Sequence, residues 1–100
     1  MHGLINKITA AAGRRPDLIS ILKESSNGMP GCLSYVVAED AVDDNAIWVT
    51  EIWDSDGSHR ASLGLPAVRD AIAKARPLIA GFDRVAVTRP VAGMKLLETR

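Results

Sequence analysis

Two stretches of alternating sequence, CLSYVVAE at residues 32–39 and AIWVTEIW at residues 46–53, decide the fold. Each is rich in β-branched and aromatic residues, and a short acidic segment separates them, so the pair predicts an antiparallel hairpin. Successive side chains of a strand point to opposite faces. Trp53 therefore lies on one face, and Trp48 and Ile52 lie on the other. Both faces of this hairpin need an apolar cover.

Two further strands and two helical regions flank the hairpin. Residues 3–9 and 82–90 are β-branched segments that predict strands. Residues 13–28 carry apolar side chains at helical spacing between a proline start and an Asn-Gly stop. Residues 56–79 carry a second helical pattern, which Gly64 interrupts. The order βαββαβ predicts an α+β, ferredoxin-like fold with an antiparallel sheet.

A second copy of the chain is the simplest cover for the remaining sheet face. Helices cover only one face of a four-stranded sheet, so we expect a twofold homodimer whose sheets pack face to face. Trp48 is assigned to this packing. Residues 1–92 form one domain, and residues 93–100 form a C-terminal tail whose crossing to the partner subunit stays open.

Composition excludes several classes of function. Twelve basic and twelve acidic residues cancel, so no nucleic-acid or membrane-surface partner is expected. The lone cysteine, Cys32, rules out an internal disulfide and fits a cytoplasmic protein. Two histidines and one cysteine are too few for a closed structural zinc site, so no metal is expected. Neither common glycine-rich phosphate loop is present, which argues against a bound dinucleotide cofactor.

Four segments together resemble a known family. They are MPGCLSY at residues 29–35, EIWD at 51–54, HRASL at 59–63 and PAV at 66–68. In this order and spacing they are similar to the antibiotic biosynthesis monooxygenase domain, a group that includes quinol monooxygenases and the anthrone oxygenases of aromatic polyketide pathways. The resemblance covers residues 1–92. It implies a dimeric α/β barrel and, in several members, oxygenation by O2 without metal, flavin or other cofactor.

Such chemistry needs a dry pocket for a small aromatic substrate, a proton-transfer group and hydrogen-bond donors. Asn6 interrupts an apolar strand and is a candidate donor, or else a buried amide bonded to backbone or partner. The family resemblance favours Trp53 as a wall that stacks on the ring and donates its N–H. His59 is the candidate proton shuttle, with a solvated or capping role as its alternative. These three residues are the predicted catalytic set.

Three further residues, Tyr35, Glu51 and Arg89, are predicted to bind substrate or support the pocket. Glu51 shares the Trp53 face, and its carboxylate needs a partner, for which Arg89 or Lys7 is available. A structural ion pair is favoured over a catalytic base at this position. Tyr35 either lines the pocket or packs in the core. The arginines at positions 14 and 15 are interpreted as solvated helix charges.

Two other functions remain as alternatives to a cofactor-independent monooxygenase. The haem-degrading relatives share an asparagine and a tryptophan at the positions of Asn6 and Trp53, but they ligate haem through a histidine on the second long helix. Residues 68–75 contain no histidine. The other alternative is a non-catalytic dimeric protein that binds a small ligand. It would show no oxygen uptake with any quinol.

Overall fold

Four strands form one antiparallel sheet, and the helices pack against one of its faces in the computed structural model, which describes residues 1–93. The elements are β1 (His2–Ala10), α1 (Arg15–Ser25), β2 (Cys32–Glu39), β3 (Ala46–Trp53), α2 (Asp56–Ser62), α3 (Pro66–Ala75), a short 3₁₀ turn (Arg76–Leu78) and β4 (Ile79–Thr88). The strand order is β2-β3-β1-β4, and every neighbouring pair is antiparallel. The predicted ferredoxin-like α+β fold is confirmed, with the sheet open rather than closed into a barrel.

The two hairpin strands have the bounds that their alternation predicts, whereas β4 begins earlier than predicted. The sequence pattern places its start after Gly81, but the strand begins at Ile79 and Gly81 pairs with Thr9 inside it. Pro77 ends the regular helix at Ala75, because proline lacks the N–H that a helix interior requires. The predicted C-terminal tail falls almost wholly on residues 94–100, outside the described part of the chain.

The core lies between the sheet and the helices. Leu4, Ile8 and Val49 point to this side of the sheet and are buried. Leu18 of α1 has no exposed surface and packs in one cluster with Ile8 and Val49. Burying a side chain of this size contributes about 1.5–3 kcal/mol. Asn6 lies in the same row of β1 and is only 3% exposed, so its amide must find partners within the protein.

The opposite sheet face keeps apolar side chains in contact with solvent. Val36 is 52% exposed, and Trp48 and Ile52 are partly exposed. The Trp48 indole N–H donates to Oδ1 of Asp40 at 2.8 Å, and the Lys7 ammonium lies 5.7 Å from the indole ring centroid. Trp48 therefore lies on the face that the alternation assigns to it.

The sequence predicts a solvated helix charge at Arg15, and this prediction is wrong. Arg15 instead binds the β2–β3 loop. Its side chain is only 15% exposed and pairs with the Glu39 carboxylate at 3.1 Å. The guanidinium also donates to three backbone carbonyls, those of Asp40, Asp43 and Ala46. The five donors of a guanidinium make this multiple contact possible.

Among residues 1–93, no helix is long and apolar enough to span a membrane.

Candidate active site

A cavity of about 360 Å³ lies between the sheet and the helices. Its wall is mostly apolar, with side chains from β1, β3, α1 and α3. These include Ile8, Leu18, Ile21, Leu22, Val49 and Ile72. A small number of polar side chains interrupt this lining, which is typical of a small-molecule site.

Four polar side chains of the wall are joined by hydrogen bonds into one chain. The Arg84 Nε–H donates to Oδ1 of Asn6 at 3.0 Å. The Asn6 Nδ2–H donates to Oε2 of Glu51 at 3.0 Å, and the Trp53 indole N–H donates to Oε1 of Glu51 at 3.0 Å. We call Arg84, Asn6, Glu51 and Trp53 the polar chain. It connects a guanidinium to a buried carboxylate through one amide.

Sheet register explains how the polar chain assembles. Leu4 of β1 pairs with Glu51 of β3, so Asn6 is the diagonal neighbour of Glu51 on the same face. On the other side, Asn6 pairs with Arg84 of β4, just beyond a register shift between Ile5 and Asn6. A bulge changes which side chains of a strand share a face. This shift places the guanidinium beside the amide.

Glu51 is buried, and the burial controls its protonation. Glu51 is only 8% exposed. The resulting desolvation raises the pKa of its carboxyl above the ordinary value of 4.5. The hydrogen bond from Trp53, the Arg84 charge and the hydrogen bond from Asn6 oppose this rise without cancelling it. A carboxyl with a raised pKa in a mostly apolar wall is suited to accepting a proton from a bound ligand.

His59 lies beside Trp53 in the same wall. It belongs to α2, whose first turn is capped by the Ser55 side chain accepting from the Ser58 backbone N–H at 3.1 Å. The imidazole meets the Trp53 ring edge-on, with the ring centroids 5.3 Å apart. The pKa of His59 is lowered, mainly because the imidazole is partly buried. The positive charge of Arg84 lowers it further.

The three residues predicted to be catalytic, Asn6, Trp53 and His59, all line this one cavity. Each has a more specific setting than the sequence shows. Asn6 is bonded to two side chains of its own chain, those of Glu51 and Arg84. The indole N–H of Trp53 is committed to Glu51, so Trp53 offers a substrate its ring and not the donor expected from the sequence.

The three predicted binding residues divide between the cavity and the surface. Glu51 and Tyr35 line the cavity, and burial raises the pKa of the Tyr35 phenol, which keeps it protonated. Arg89 follows the end of β4, is exposed and is not part of the wall. The charge expected beside Glu51 from Arg89 or Lys7 comes from Arg84 instead.

Two cavity residues were missed by sequence reasoning. Arg84 carries a weak signal, since a charged residue within an apolar strand invites the search for a partner. Its face was hidden by the irregular register of β4. Ser62 is 4% exposed, and its hydroxyl donates to the His59 carbonyl at 2.6 Å, which ties the end of α2 to that residue. Serine in a short helix carries no comparable signal.

Gly31 explains part of the Pro-Gly-Cys segment. Its φ is +82°, a region that favours glycine. A Cβ atom there would lie 2.5 Å from Oγ of Ser58, and the Gly31 carbonyl accepts from the Asp54 backbone N–H at 2.9 Å. The glycine therefore lets the start of β2 approach the first turn of α2, which carries His59.

Fold and site define a small ferredoxin-like protein with an apolar cavity and an internal acid–base group. The profile of the antibiotic biosynthesis monooxygenase family matches residues 1–74, so the chain belongs to that family. A monooxygenase-like role follows from this membership.

Solved structures agree with the assignment. A protein from Chloroflexus aurantiacus J-10-fl, named a "putative antibiotic biosynthesis monooxygenase", is 57% identical, with 95% of this chain and 97% of that chain covered and a TM-score of 0.92. A Deinococcus radiodurans protein of the same name is 24% identical, with coverages of 98% and 100% and a TM-score of 0.78. A mutant of SnoaB, a cofactor-independent oxygenase from Streptomyces nogalater, is 14% identical, with coverages of 93% and 95% and a TM-score of 0.78. The last two show the fold alone. Among curated proteins, none matches the sequence.

Proposed function

We propose that this protein is a monooxygenase that oxidises a flat, electron-rich aromatic compound, a quinol or an anthrone-like ring, with O2 and no cofactor. The observation that carries the proposal is the polar chain in the wall of a 360 Å³ apolar cavity. Apolar walls suit an aromatic ring, and a carboxylate with hydrogen-bonded support suits removal of a phenolic proton. Membership of the monooxygenase family agrees with this chemistry.

The substrate supplies the electrons. Loss of a proton gives an electron-rich anion, which passes one electron to O2 and then joins the resulting superoxide through a new carbon–oxygen bond. The peroxide gains a proton, its O–O bond breaks, and the ring carbon loses hydrogen as it becomes a carbonyl. One oxygen atom enters the product and the other leaves as water. An anthrone would therefore give an anthraquinone, with no external reductant.

The residues of the wall divide these tasks. Glu51 accepts the substrate proton, because its pKa is raised and its carboxylate retains free lone pairs. Asn6 has a second Nδ2–H besides the one given to Glu51, and this N–H is available to an oxyanion. Trp53 forms a ring surface for stacking. His59, in the same wall and partly exposed, is the proton shuttle between the cavity and solvent.

We also propose that the working form is a twofold homodimer. The sheet face opposite the helices presents Val36, Trp48 and Ile52, which are exposed or partly exposed. Exposed apolar surface of this kind is stabilised by burial against a matching surface.

A reducing cytoplasm suits Cys32, a free thiol whose pKa is raised by burial.

Oxygen consumption by metal-free, purified protein tests the activity. An oxygen electrode follows a panel of reduced naphthoquinones and anthrones, and mass spectrometry follows the product. We expect uptake above the uncatalysed rate, one atom of labelled oxygen in the product, and the loss of most activity in Glu51→Gln. Lys23→Gln, on the exposed side of α1, is the matched control and keeps full activity.

The proposal fails if no member of the panel raises the uptake above its uncatalysed rate. Binding of the same rings, measured by tryptophan fluorescence, would then support the non-catalytic ligand-binding protein instead. Uptake that ends in free hydrogen peroxide without labelled product would also contradict the proposed monooxygenation.

A further inference from the structure

His2, Asp56 and His59 meet where the start of β1 lies beside α2. Each offers one ligand atom, and the three atoms lie within 4.8 Å of one another. Nε2 of His2 is already 3.4 Å from Oδ1 of Asp56, and the His2 and His59 ring centroids are 6.2 Å apart. We propose that these three side chains form a binding site for a divalent transition metal, with Zn²⁺ as its best-suited occupant.

The ligand types fit an open metal site. Two histidines and a cysteine are too few for a closed structural site, but an open site needs three ligands and accepts a carboxylate. Two imidazoles and one carboxylate suit Zn²⁺ and neighbouring transition metals better than Mg²⁺ or Ca²⁺, which prefer oxygen ligands alone. Three protein ligands leave at least one position of a tetrahedral ion for water or an added ligand.

The backbone holds the three residues on rigid elements. Asp56 and His59 are three residues apart in α2, a spacing that places side chains on one face of a helix. His2 is the first residue of β1 and pairs with Trp53 of β3. His59 packs edge-on against the same tryptophan. The indole therefore links the strand ligand to the helix ligands.

The distances between the ligand atoms are close to those of a tetrahedral zinc site. Ligand atoms around tetrahedral Zn²⁺, at bond lengths of about 2.0–2.2 Å, lie roughly 3.3–3.6 Å apart. The His2–Asp56 pair already has this separation. The second carboxylate oxygen of Asp56 pairs with Nε of Arg60 at 3.0 Å, which holds Oδ1 toward His2. Such support of a ligand by an outer residue is common at metal sites.

The ion would bind at the edge of the cavity described above, because His59 belongs to both. An imidazole whose nitrogen is coordinated cannot use that nitrogen to accept a substrate proton. Metal binding itself needs no aromatic substrate, so it can be measured in the absence of one. The measurement therefore stands whether or not the proposed reaction occurs.

Calorimetric titration with ZnCl₂ tests the site. The protein must be untagged, begin at Met1 and be stripped with a chelator, since a histidine tag would bind the ion itself. We expect one Zn²⁺ per chain and a loss of affinity of roughly tenfold or more in each of His2→Gln, Asp56→Asn and His59→Gln, because even outer residues of metal sites cost about 10–100-fold. Asp17→Asn removes the same charge from an exposed position on α1 and leaves the affinity unchanged.

Three outcomes would overturn the proposal. The first is no stoichiometric Zn²⁺ binding by the wild-type protein. The second is loss of binding in His2→Gln alone, which would show chelation by His2 and the terminal amine without α2. The third is loss of binding in Cys32→Ser, which would assign the ion to the thiol. Circular dichroism of each variant shows whether it retains the fold.

Discussion

Asn6 and Glu51 are 45 residues apart in the sequence and are joined by a buried hydrogen bond of 3.0 Å from Nδ2 to Oε2. Because Oδ1 of Asn6 also accepts from Arg84, the amide has a fixed orientation. If it flipped, it would present an acceptor to the carboxylate and donors to the guanidinium. The amide therefore holds the Glu51 carboxylate and the Arg84 guanidinium at the same time.

Replacing Asn6 with alanine removes both hydrogen bonds from the polar chain. We expect a loss of about 2–4 kcal/mol in the free energy of unfolding. Glu51 loses a buried hydrogen bond, and Arg84 loses a partly buried one. For activity we expect a fall of about 10²-fold in kcat/KM, the usual cost of losing one oxyanion donor. Urea denaturation and oxygen uptake measure the two effects.

Asn27→Ala is the control for that variant. Asn27 is exposed after the end of α1, and we expect its replacement to change stability by less than about 0.5 kcal/mol. Equal losses in both asparagine variants would show that the buried amide has no special role.

Glu51 gives a pH-dependent stability. Burial raises its pKa in the folded chain, so the folded state binds the proton more tightly than the unfolded state does. Glu51 therefore makes the free energy of unfolding decrease as the pH rises from the ordinary value of 4.5 through the raised pKa, and the decrease stops above it. Glu51→Gln, which cannot titrate, lacks this decrease.

The glutamine variant also loses a hydrogen bond. Glutamine has one acceptor oxygen, whereas Glu51 accepts separately from Asn6 and Trp53. We expect an offset of about 1–3 kcal/mol from the unpaired donor. Urea denaturation of both proteins at several pH values separates the constant offset from the slope. A wild-type minus variant difference that rises with pH would contradict the raised pKa.

The two tryptophans form a natural comparison. Trp53 is 1% exposed and bonded to Glu51, whereas Trp48 is partly exposed and bonded to Asp40. We expect Trp53→Phe to cost about 1–3 kcal/mol, since a buried carboxylate oxygen loses its donor. Trp48→Phe is expected to cost less and to raise the pKa of Asp40 from about 2, which hydrogen bonds from the Asp43 backbone and Trp48 hold low. Denaturation and NMR titration of the Asp40 carboxyl measure these effects.

Local patterns predicted the parts of the fold that local physics determines. The bounds of β2 and β3 follow from strict alternation between turn residues, and Asn6 was found because an amide in an apolar row needs a partner. The position of Arg84 depends on a register shift in β4, which no local pattern shows. Arg15 resembles any helix charge until the β2–β3 loop comes to lie beside it. Partners distant in sequence are decided by the assembled sheet.

Arg84 is the arginine whose charge acts on Glu51, and its position could not be predicted from the local sequence. Arg84→Met removes a nearby positive charge that lowers the pKa of Glu51, so we expect that pKa to rise further. If ionised Glu51 is the proton acceptor, the acidic limb of the kcat/KM profile then moves to higher pH. Arg89→Met changes an exposed residue outside the cavity, and we expect an unchanged profile. A shift in the Arg89 variant alone would support the partner predicted from the sequence.

The homodimer is tested at the uncovered sheet face. Val36 is 52% exposed on this face, and Val42 is 90% exposed in the loop that follows β2. A glutamate at position 36 would place a charge inside a face-to-face sheet interface, where desolvation without a partner is costly. We expect Val36→Glu to be monomeric by light scattering at concentrations where the wild type is a dimer, and Val42→Glu to remain dimeric. A wild-type chain that scatters as a monomer at working concentration would contradict the dimer, and a dimeric Val36→Glu variant would place its interface on another surface.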